Sequence, residues 1–431
     1  MATRNQAPHV SARGDRPGAV NQQRREAAGP SMNPRGLKPA VRVHLNIGSV
    51  TMEIEQNVWT QADGWNAGSP GKLGASAQLV LIFGSRAILR EHHALLDTIK
   101  QAYPKANHLG CSTSGEICGT QVSDDSLVVT AIRFEHTRTI GTKIKLRQRV
   151  HSLQAGEQLA RSLPKEDLRH VFVISDGLNV NASDLVAGLM SHLPPHVAVT
   201  GGLSGDGALF KETLVLWDDL PEQGVVAAVG LYGDRLKVGY GAMGGWDPFG
   251  PERLVTKSKG NILFEFDGKS ALGLYKNYLG DQAKGLPGSA LHFPLCLRKK
   301  EKATSVVRTV LAIDETAQSM VFAGEVPQGE YARLMRTNYE GLIEGSIGAA
   351  RASFEGVGSS SPELAVLISC VGRKLVLKQR TGEEVEGVRE IMGDQTALTG
   401  FYSYGGYSPF TPNAQCEFHN QSMTITTFSE K

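Results

Sequence analysis

Short apolar runs alternate with helical stretches over most of the chain. Leu79 to Phe83 is continuously apolar, which predicts an interior strand. His92, Leu95, Leu96, Ile99 and Tyr103 then recur at helical spacing as far as Pro104, and Asn107 to Gly110 predicts a second strand. That strand opens into the loop Gly110-Cys111-Ser112-Thr113-Ser114-Gly115-Glu116. The order then returns. Val171 to Ile174 is the strand, Ser183 caps a helix with Val186, Leu189, Met190 and Leu193 on one face, and Pro194 and Pro195 stop it. Val197 to Thr200 leads into Gly201-Gly202-Leu203-Ser204-Gly205-Asp206. Phe83 stands 27 positions before Gly110, and Ile174 stands 27 before Gly201. This spacing predicts two related β-α-β units, over 79–146 and 171–240, packed together. Their Gly-rich loops either bring backbone amides up to a ligand or serve only as tight turns.

Further strands are predicted at Leu127 to Phe134, Ile140 to Leu146, Thr213 to Leu216, Val225 to Leu231 and Leu236 to Tyr240. They complete a domain over 76–250, behind a lead-in at 41–75. Gly241 to Gly250 reads as a turn-rich crossover. Beyond it, 251–431 predicts a smaller α+β domain. It holds strands at Ile262 to Phe266, Leu291 to Leu297, Val306 to Ile313 and Met320 to Ala323, and a short helix around Leu272 to Tyr278. A long helix from Glu330 to Phe354, a buried strand Leu364 to Cys370, a charged helix Gly382 to Met392 and two final strands, Leu398 to Tyr404 and Cys416 to Phe428, follow. Gly341, Gly345 and Gly348 each cost the long helix about 1 kcal/mol relative to Ala, so they mark a close approach by a strand, a helix or a ligand. The fold class is mixed α/β (α+β), with a duplicated βαβ-containing N-terminal domain built on mixed sheets.

Composition narrows the function classes. At 431 residues the chain exceeds a single core, and 41% hydrophobic with 20% charged residues is ordinary for a soluble globular protein. A net charge of +2 gives no case for nucleic acid. Residues 1–40 carry +5 of charge without an apolar run, which predicts a disordered basic tail, with Met32 inside it as an alternative start. No apolar region follows these basic residues, and no run of about 18 uncharged apolar residues occurs, so neither a secretory signal nor a membrane span is expected. Cys111, Cys118, Cys296, Cys370 and Cys416 form no CxxC pair, which predicts a reducing cytoplasm.

Two stretches carry a resemblance. Gly110-Cys111-Ser112-Thr113-Ser114-Gly115-Glu116 resembles the GCST-type motif of the FIST N-terminal domain. Leu398-Thr399-Gly400-Phe401-Tyr402-Ser403-Tyr404-Gly405 with Phe418-His419-Asn420-Gln421-Ser422-Met423-Thr424 resembles the signature of the FIST C-terminal domain. The chain departs from the common pattern at Gly406 and Tyr407, where many members carry an acidic and an aliphatic residue. The resemblance implies a cytoplasmic small-molecule sensor in signal transduction. Its two-domain build is similar to NosP-type nitric oxide sensing proteins, which bind haem and act on a separate histidine kinase or cyclic-di-GMP enzyme.

Haem iron takes a His, Cys, Met or Tyr ligand from an apolar pocket. Strand alternation groups His419 with Gln421, Met423 and Ile425 on a partly buried face, where it is either an iron ligand or a hydrogen-bonded core histidine. His292, in Leu291-His292-Phe293-Pro294, is the second candidate metal ligand. The candidate ligand-binding set comprises Gly110, Cys111, Ser112, Thr113 and Ser114 of the first loop, Gly201, Gly202 and Ser204 of the second, and Tyr404 and Asn420 of the C-terminal signature. Neither a P-loop nor a G-x-S-x-G elbow is present. Cys111 beside its Gly-rich loop supports the alternative of a thiol-dependent hydrolase or transferase, against the reading of a small buried thiol. No His or acid stands at a telling spacing from it, so the expectation is a protein that is not an enzyme.

Overall fold

The computed structural model of the chain describes residues 52–66, 68–146, 151–298, 305–358, 361–410 and 414–430. The expected basic tail at 1–40 lies outside the described residues. The chain enters through β1 (Met52–Thr60), turns at β2 (Gly64–Trp65) and reaches β3 (Leu79–Ser85), whose residues are all buried. Ser85 caps α1 (Arg86–Glu91) by accepting the Ile88 amide, and His92 breaks the expected single helix, so that α2 (His93–Ala102) starts afresh. β4 (Asn107–Thr113) then lies parallel to β3. β5 (Glu116–Cys118), β6 (Gln121–Ser123) and β7 (Ser126–Phe134) complete the first unit, β7 running antiparallel to both β3 and β1.

The second unit repeats this plan. β8 (Arg138–Lys145) and α3 (Ser152–Ser162) precede β9 (Leu168–Ser175), α4 (Ala182–Met190) and β10 (Ala198–Leu203), with β11 (Val215–Trp217) and β12 (Val225–Tyr232) after them. α4 starts from Asn181, whose side chain accepts the Asp184 amide at 3.1 Å, and not from Ser183 as expected. β8, assigned by sequence to the end of the first copy, pairs with β12 and so belongs to the second unit.

β13 (Lys237–Met243) opens a third unit that is then interrupted. The interruption holds β14 (Asp247–Lys259), β15 (Ile262–Phe266), β16 (Lys269–Ser270), α5 (Ala271–Leu279), β17 (Leu295–Arg298), β18 (Ser305–Arg308), β19 (Val310–Asp314), β20 (Ser319–Phe322) and β21 (Tyr331–Arg336). They form an eight-stranded sheet with its own core around Val255, Leu272, Tyr275, Leu295 and Phe322. The third unit resumes at α6 (Tyr339–Val357). It continues through β22 (Leu364–Cys370), α7 (Val371–Leu377), α8 (Thr381–Met392), β23 (Ala397–Ser403), β24 (Gly406–Pro409), β25 (Cys416–His419) and β26 (Met423–Ser429).

The expected duplication is therefore a triplication. β3 with β4, β9 with β10 and β22 with β23 are parallel pairs, and each has an antiparallel neighbour, β7, β12 or β26, that in turn pairs with β1, β8 or β13. Gly110, Gly201 and Gly400 occupy the same register, opposite Ile82, Val173 and Leu367. A Cβ there would stand 2.1, 1.8 and 1.8 Å from the facing carbonyl oxygens of these partners, so only glycine fits. Past these strands the chain changes sheets. β5 crosses to pair with β23, β11 crosses to β4 and β24 crosses to β10, so each unit gives strand pairing to another in a closed ring.

The three sheets face one another across a central core that brings Phe83, Phe172, Ile174, Val366, Ile368 and Phe401 together, while helices cover the outer faces. Further elements differ from expectation: Leu291-His292 ends a 3-10 turn, so that strand starts only at Leu295, and Val306 to Ile313 is divided into β18 and β19. Tyr331 to Arg336 is strand, and the long helix starts at Tyr339, capped by Asn338, whose Oδ1 accepts the Gly341 amide at 2.7 Å. The last strand is broken at Asn420-Gln421, where Gln421 has φ +55°, so the expected alternation of His419 with Met423 is lost. No helix among the described residues is long and apolar enough to cross a membrane.

Candidate functional site

The sequence-predicted loops do meet. Gly205 N donates to Ser112 O at 2.8 Å, Ser114 N to Tyr402 O at 2.8 Å, and Leu203 N to Gly405 O at 2.8 Å, which knits the three strand-to-loop turns into one junction. Inside it the polar groups bond to protein. Ser112 Oγ accepts Leu214 N, Ser114 Oγ lies 3.1 Å from Gly207 O, and Ser204 Oγ donates to Ser175 O at 3.1 Å. Thr113 Oγ1 donates to Glu116, and Tyr404 OH donates to Asp206. Asp206 also accepts the amides of Phe210, Lys211 and Glu212 at 2.8–2.9 Å, and the Phe210 ring stacks on Tyr404 at 4.4 Å. Lys374 reaches in from α7 to Ser114 O at 2.9 Å. Asn420 Nδ2 donates to Tyr404 O at 3.4 Å, and its buried Oδ1 has no hydrogen-bond partner among the described residues. Gly202 faces Ile368 and the Gly405 carbonyl, with no room for a side chain.

Three ionisable groups are sunk beside this junction. Burial pushes Glu116 up to about 7, against the pull of hydrogen bonds from Thr113 and Ser126. Arg373 and Glu384 form a fully buried ion pair at 2.7 Å. Glu384 also accepts from Ser346, Ser369 and Tyr402, and Arg373 donates to Gly244 O at 2.7 Å. Gly244 lies where the chain leaves for the inserted sheet. Thr337 Oγ1, on the returning strand, donates to Gly245 O at 2.7 Å, and Gly341 and Gly345 of α6 let this crossing lie flush against the helix. The close approach that the helix glycines announced is therefore by backbone at Gly341 and Gly345 and by the Met243 side chain at Gly348.

Cys111 is fully buried, and burial, with Glu116 nearby, raises its pKa well above that of a free thiol. Its sulfur is thus kept protonated and out of reach of a substrate. His419 is buried with Nε2 at 2.8 Å from Ser408 O and its ring edge against Phe410, and burial holds its pKa down to about 4. This is the hydrogen-bonded core histidine of the two readings. His292 is exposed on a short 3-10 turn at Gly288–His292. The unusual Gly406 and Tyr407 have packing reasons: Thr424 fills the space beside Gly406, and Tyr407 OH bonds Ser175 Oγ at 2.6 Å.

Ligand-sized space lies elsewhere, where the inserted sheet faces α4 and β25. A cavity of about 290 Å³ opens there. Val186, Ala187 and Met190 of α4 and Cys416 and Phe418 of β25 form one wall; Leu297, Val306, Arg308 and Pro327 of the insert form the other. Asp184, Glu325, Glu330 and Glu417 also line it. Arg308 is only 4% exposed, and its guanidinium donates to the carbonyls of Phe418 at 3.0 Å, Val307 at 3.2 Å and Glu325 at 3.3 Å. Desolvation lowers its pKa to about 10, which leaves it charged at neutral pH. None of these residues was chosen from sequence as a ligand contact, although Phe418 stands in the C-terminal signature. The available signal was an arginine inside the apolar run Val306-Val307-Arg308.

These features define a class: an interleaved mixed α/β protein with an inserted sheet and a small-molecule-sized cleft between insert and body. Residues 78–269 match the FIST N domain and residues 271–409 match the FIST C domain. The chain belongs to the FIST domain family, whose domains sense small ligands in signal transduction. It is similar to an uncharacterized protein of Methanocaldococcus jannaschii, 22% identical over 350 residues that cover 75% of this chain and 66% of that protein. The chain thus spans about two thirds of that relative's length.

Proposed function

We propose that this protein is a small-molecule sensor that takes its ligand in the cleft between the inserted sheet and α4 with β25. The carrying observation is that the two walls of this 290 Å³ space belong to different hydrophobic cores joined through the paired crossings at Gly244-Gly245 and Thr337-Asn338. A ligand touching both walls changes how the insert seats on the body, and a separate effector reads that difference. The volume sits at the lower edge of the roughly 300–1,000 Å³ usual for ligand pockets, which suits a small metabolite. The test is native mass spectrometry of the purified protein, with Ala187→Trp as the variant that fills the cleft. A co-purifying compound present in the wild type and absent from the variant supports the reading; retention by the variant refutes it.

The finer reading drawn from the family resemblance is haem-based nitric oxide sensing that regulates a separate histidine kinase or cyclic-di-GMP enzyme. The residues described do not fit haem. His419 has Nε2 engaged by a carbonyl and does not line the cleft, and His292 lies outside it. Support for haem rests on the resemblance alone. Reconstitution with haem gives its test: a Soret band that shifts with nitric oxide supports it, and a featureless spectrum removes it while leaving the sensor reading intact.

A further inference from the structure

Leu178 is 39% exposed, Leu209 53% and Phe210 44%, and these large apolar side chains stand on two loops that are tied together. Gly177 N donates to Ser204 Oγ at 3.1 Å and to Thr213 Oγ1 at 3.0 Å. A Cβ on Gly177 would come 2.9 Å from the ring of Tyr404, the ring on which Phe210 stacks. Phe210 also has φ +52°, a left-handed backbone that is an outlier for a bulky residue. Asp206 and Tyr404 OH hold its amide there, at 2.9 and 3.2 Å. A fold that strains its backbone to keep an aromatic ring at the surface marks that ring for a contact outside the chain.

The strands beneath are already paired on both sides, β9 with β10 and β12, and β10 with β9 and β24, so they offer no free edge to an extended peptide. The contact is therefore by side chains. Beside Phe210 the Arg86 and Arg90 guanidiniums share the one carboxylate of Glu212, and Lys211 adds a further cation to the rim. The Asp176 and Asp206 carboxylates lie buried below and accept backbone amides. A second copy of this chain would set cation against cation across the contact, whereas acidic flanks on a partner match the rim. We propose that this patch is the docking surface for the effector, and that it takes an amphipathic helix. The apolar face of that helix lies on Leu178, Leu209 and Phe210, and its acidic flanks meet Arg86, Arg90 and Lys211. The proposal rests on the sensor reading for its regulation and not for the surface itself. Phe418, which lines the cleft, fills the space beside Gly405, and Asn420, two residues on, donates to Tyr404 O at 3.4 Å. A ligand that moves Phe418 acts through these contacts on Tyr404, the residue that carries Phe210.

The experiment is a fluorescence-anisotropy titration of the full chain with two synthetic helical peptides of about 18 residues, both with Leu and Phe on one face. One carries Glu on the opposite face and the other carries Lys. The Glu peptide should bind the wild type saturably and about tenfold or more tighter than the Lys peptide. Phe210→Asn, which removes the ring but suits the left-handed backbone, should weaken the Glu peptide about tenfold while the melting temperature is kept. Arg90→Glu should weaken the Glu peptide and strengthen the Lys peptide. No saturable binding of the Glu peptide, equal binding of both peptides, or binding unaffected by Phe210→Asn overturns the surface. A wild type that sediments as a dimer, and that Phe210→Asn makes monomeric, overturns the choice of partner in favour of a second copy. Ala187→Trp, which fills the cleft, should change the affinity for the Glu peptide about fivefold or more. An unchanged affinity there overturns the link to the cleft and leaves the docking surface standing.

Discussion

Replacing Glu116 by Gln isolates the cost of a carboxyl group sunk between two units. Glu116 is 1% exposed at the start of β5, the strand lent by the first unit to the sheet of the third. It accepts from Ser126 N at 3.1 Å and Ser126 Oγ at 2.7 Å, with Thr113 at its other oxygen. Asp124 adds repulsion; Lys374 is paired with Asp124 and Ser114 O. Its ordinary value of 4.5 rises to about 7 in the folded chain, so the folded state holds a proton that the unfolded state has released between these limits. Stability from this group is therefore complete below pH 4.5 and is lost progressively as pH rises through 7. At 1.36 kcal/mol per unit of pKa, the difference amounts to about 3 kcal/mol. Urea unfolding of wild type and Glu116→Gln, repeated from pH 4.5 to pH 8, measures it. The glutamine variant should lose about 3 kcal/mol less than the wild type over this span, with the remaining titrations common to both. A wild-type-minus-variant difference that stays constant across the range refutes the argument.

Other outcomes follow from the packing. Trp217 lays its indole where a Cβ on Gly141 would stand, 1.6 Å from the ring, so Gly141→Ala should destabilise by about 1–3 kcal/mol; Trp217→Leu in the same chain should relieve the clash, and a double-mutant cycle on melting temperatures should show strong non-additivity. Glu384→Gln strips the buried Arg373 of its counter-charge and should cost about 3–5 kcal/mol in thermal unfolding, with Arg373→Met in the same chain recovering part of it. His170 and His419 are held neutral by burial, at about 3 and 4, so their contribution is present above pH 6.5 and is lost as pH falls toward those values; His419→Gln should make the acid limb of the stability profile shallower. Cys111 should resist thiol reagents in the folded protein and react in denaturant, as read by mass spectrometry, and prompt labelling under native conditions contradicts its placement.

The β-α-β cores of the first two units were legible because each carries a complete local signal: an unbroken apolar run, a helical stripe, a glycine loop at fixed spacing; β1, β5, β6 and α3 were not. The third unit hid for two physical reasons. Its first strand, β13, is separated from the rest by the inserted sheet, and its turn keeps Gly400 but replaces the small residues after it with Phe401, Tyr402 and Tyr404. The exchange of strands was invisible as well, since the pattern of β5 or β11 says that it pairs but not with whom. Tyr331 to Arg336 was read as helix because the stripe from Leu334 onward continues into α6 without a proline or glycine to divide them. The loop residues chosen as ligand contacts do come together, yet their hydroxyls bond backbone groups and the carboxylates of Glu116 and Asp206. The cleft residues come from distant segments with no shared motif, so nothing local announced them.

The ring of lent strands also governs how the protein is made. β4 emerges during synthesis long before its partner β11, β5 must wait for β23, and β13 for β26, which ends almost at the C-terminus. Contacts so remote along the chain form slowly, and the half-built sheets present open edges to any neighbouring chain in the meantime. A nascent polypeptide of this kind stays incomplete until β26 leaves the ribosome, so removing β26 should forfeit the entire body rather than trim one edge of it.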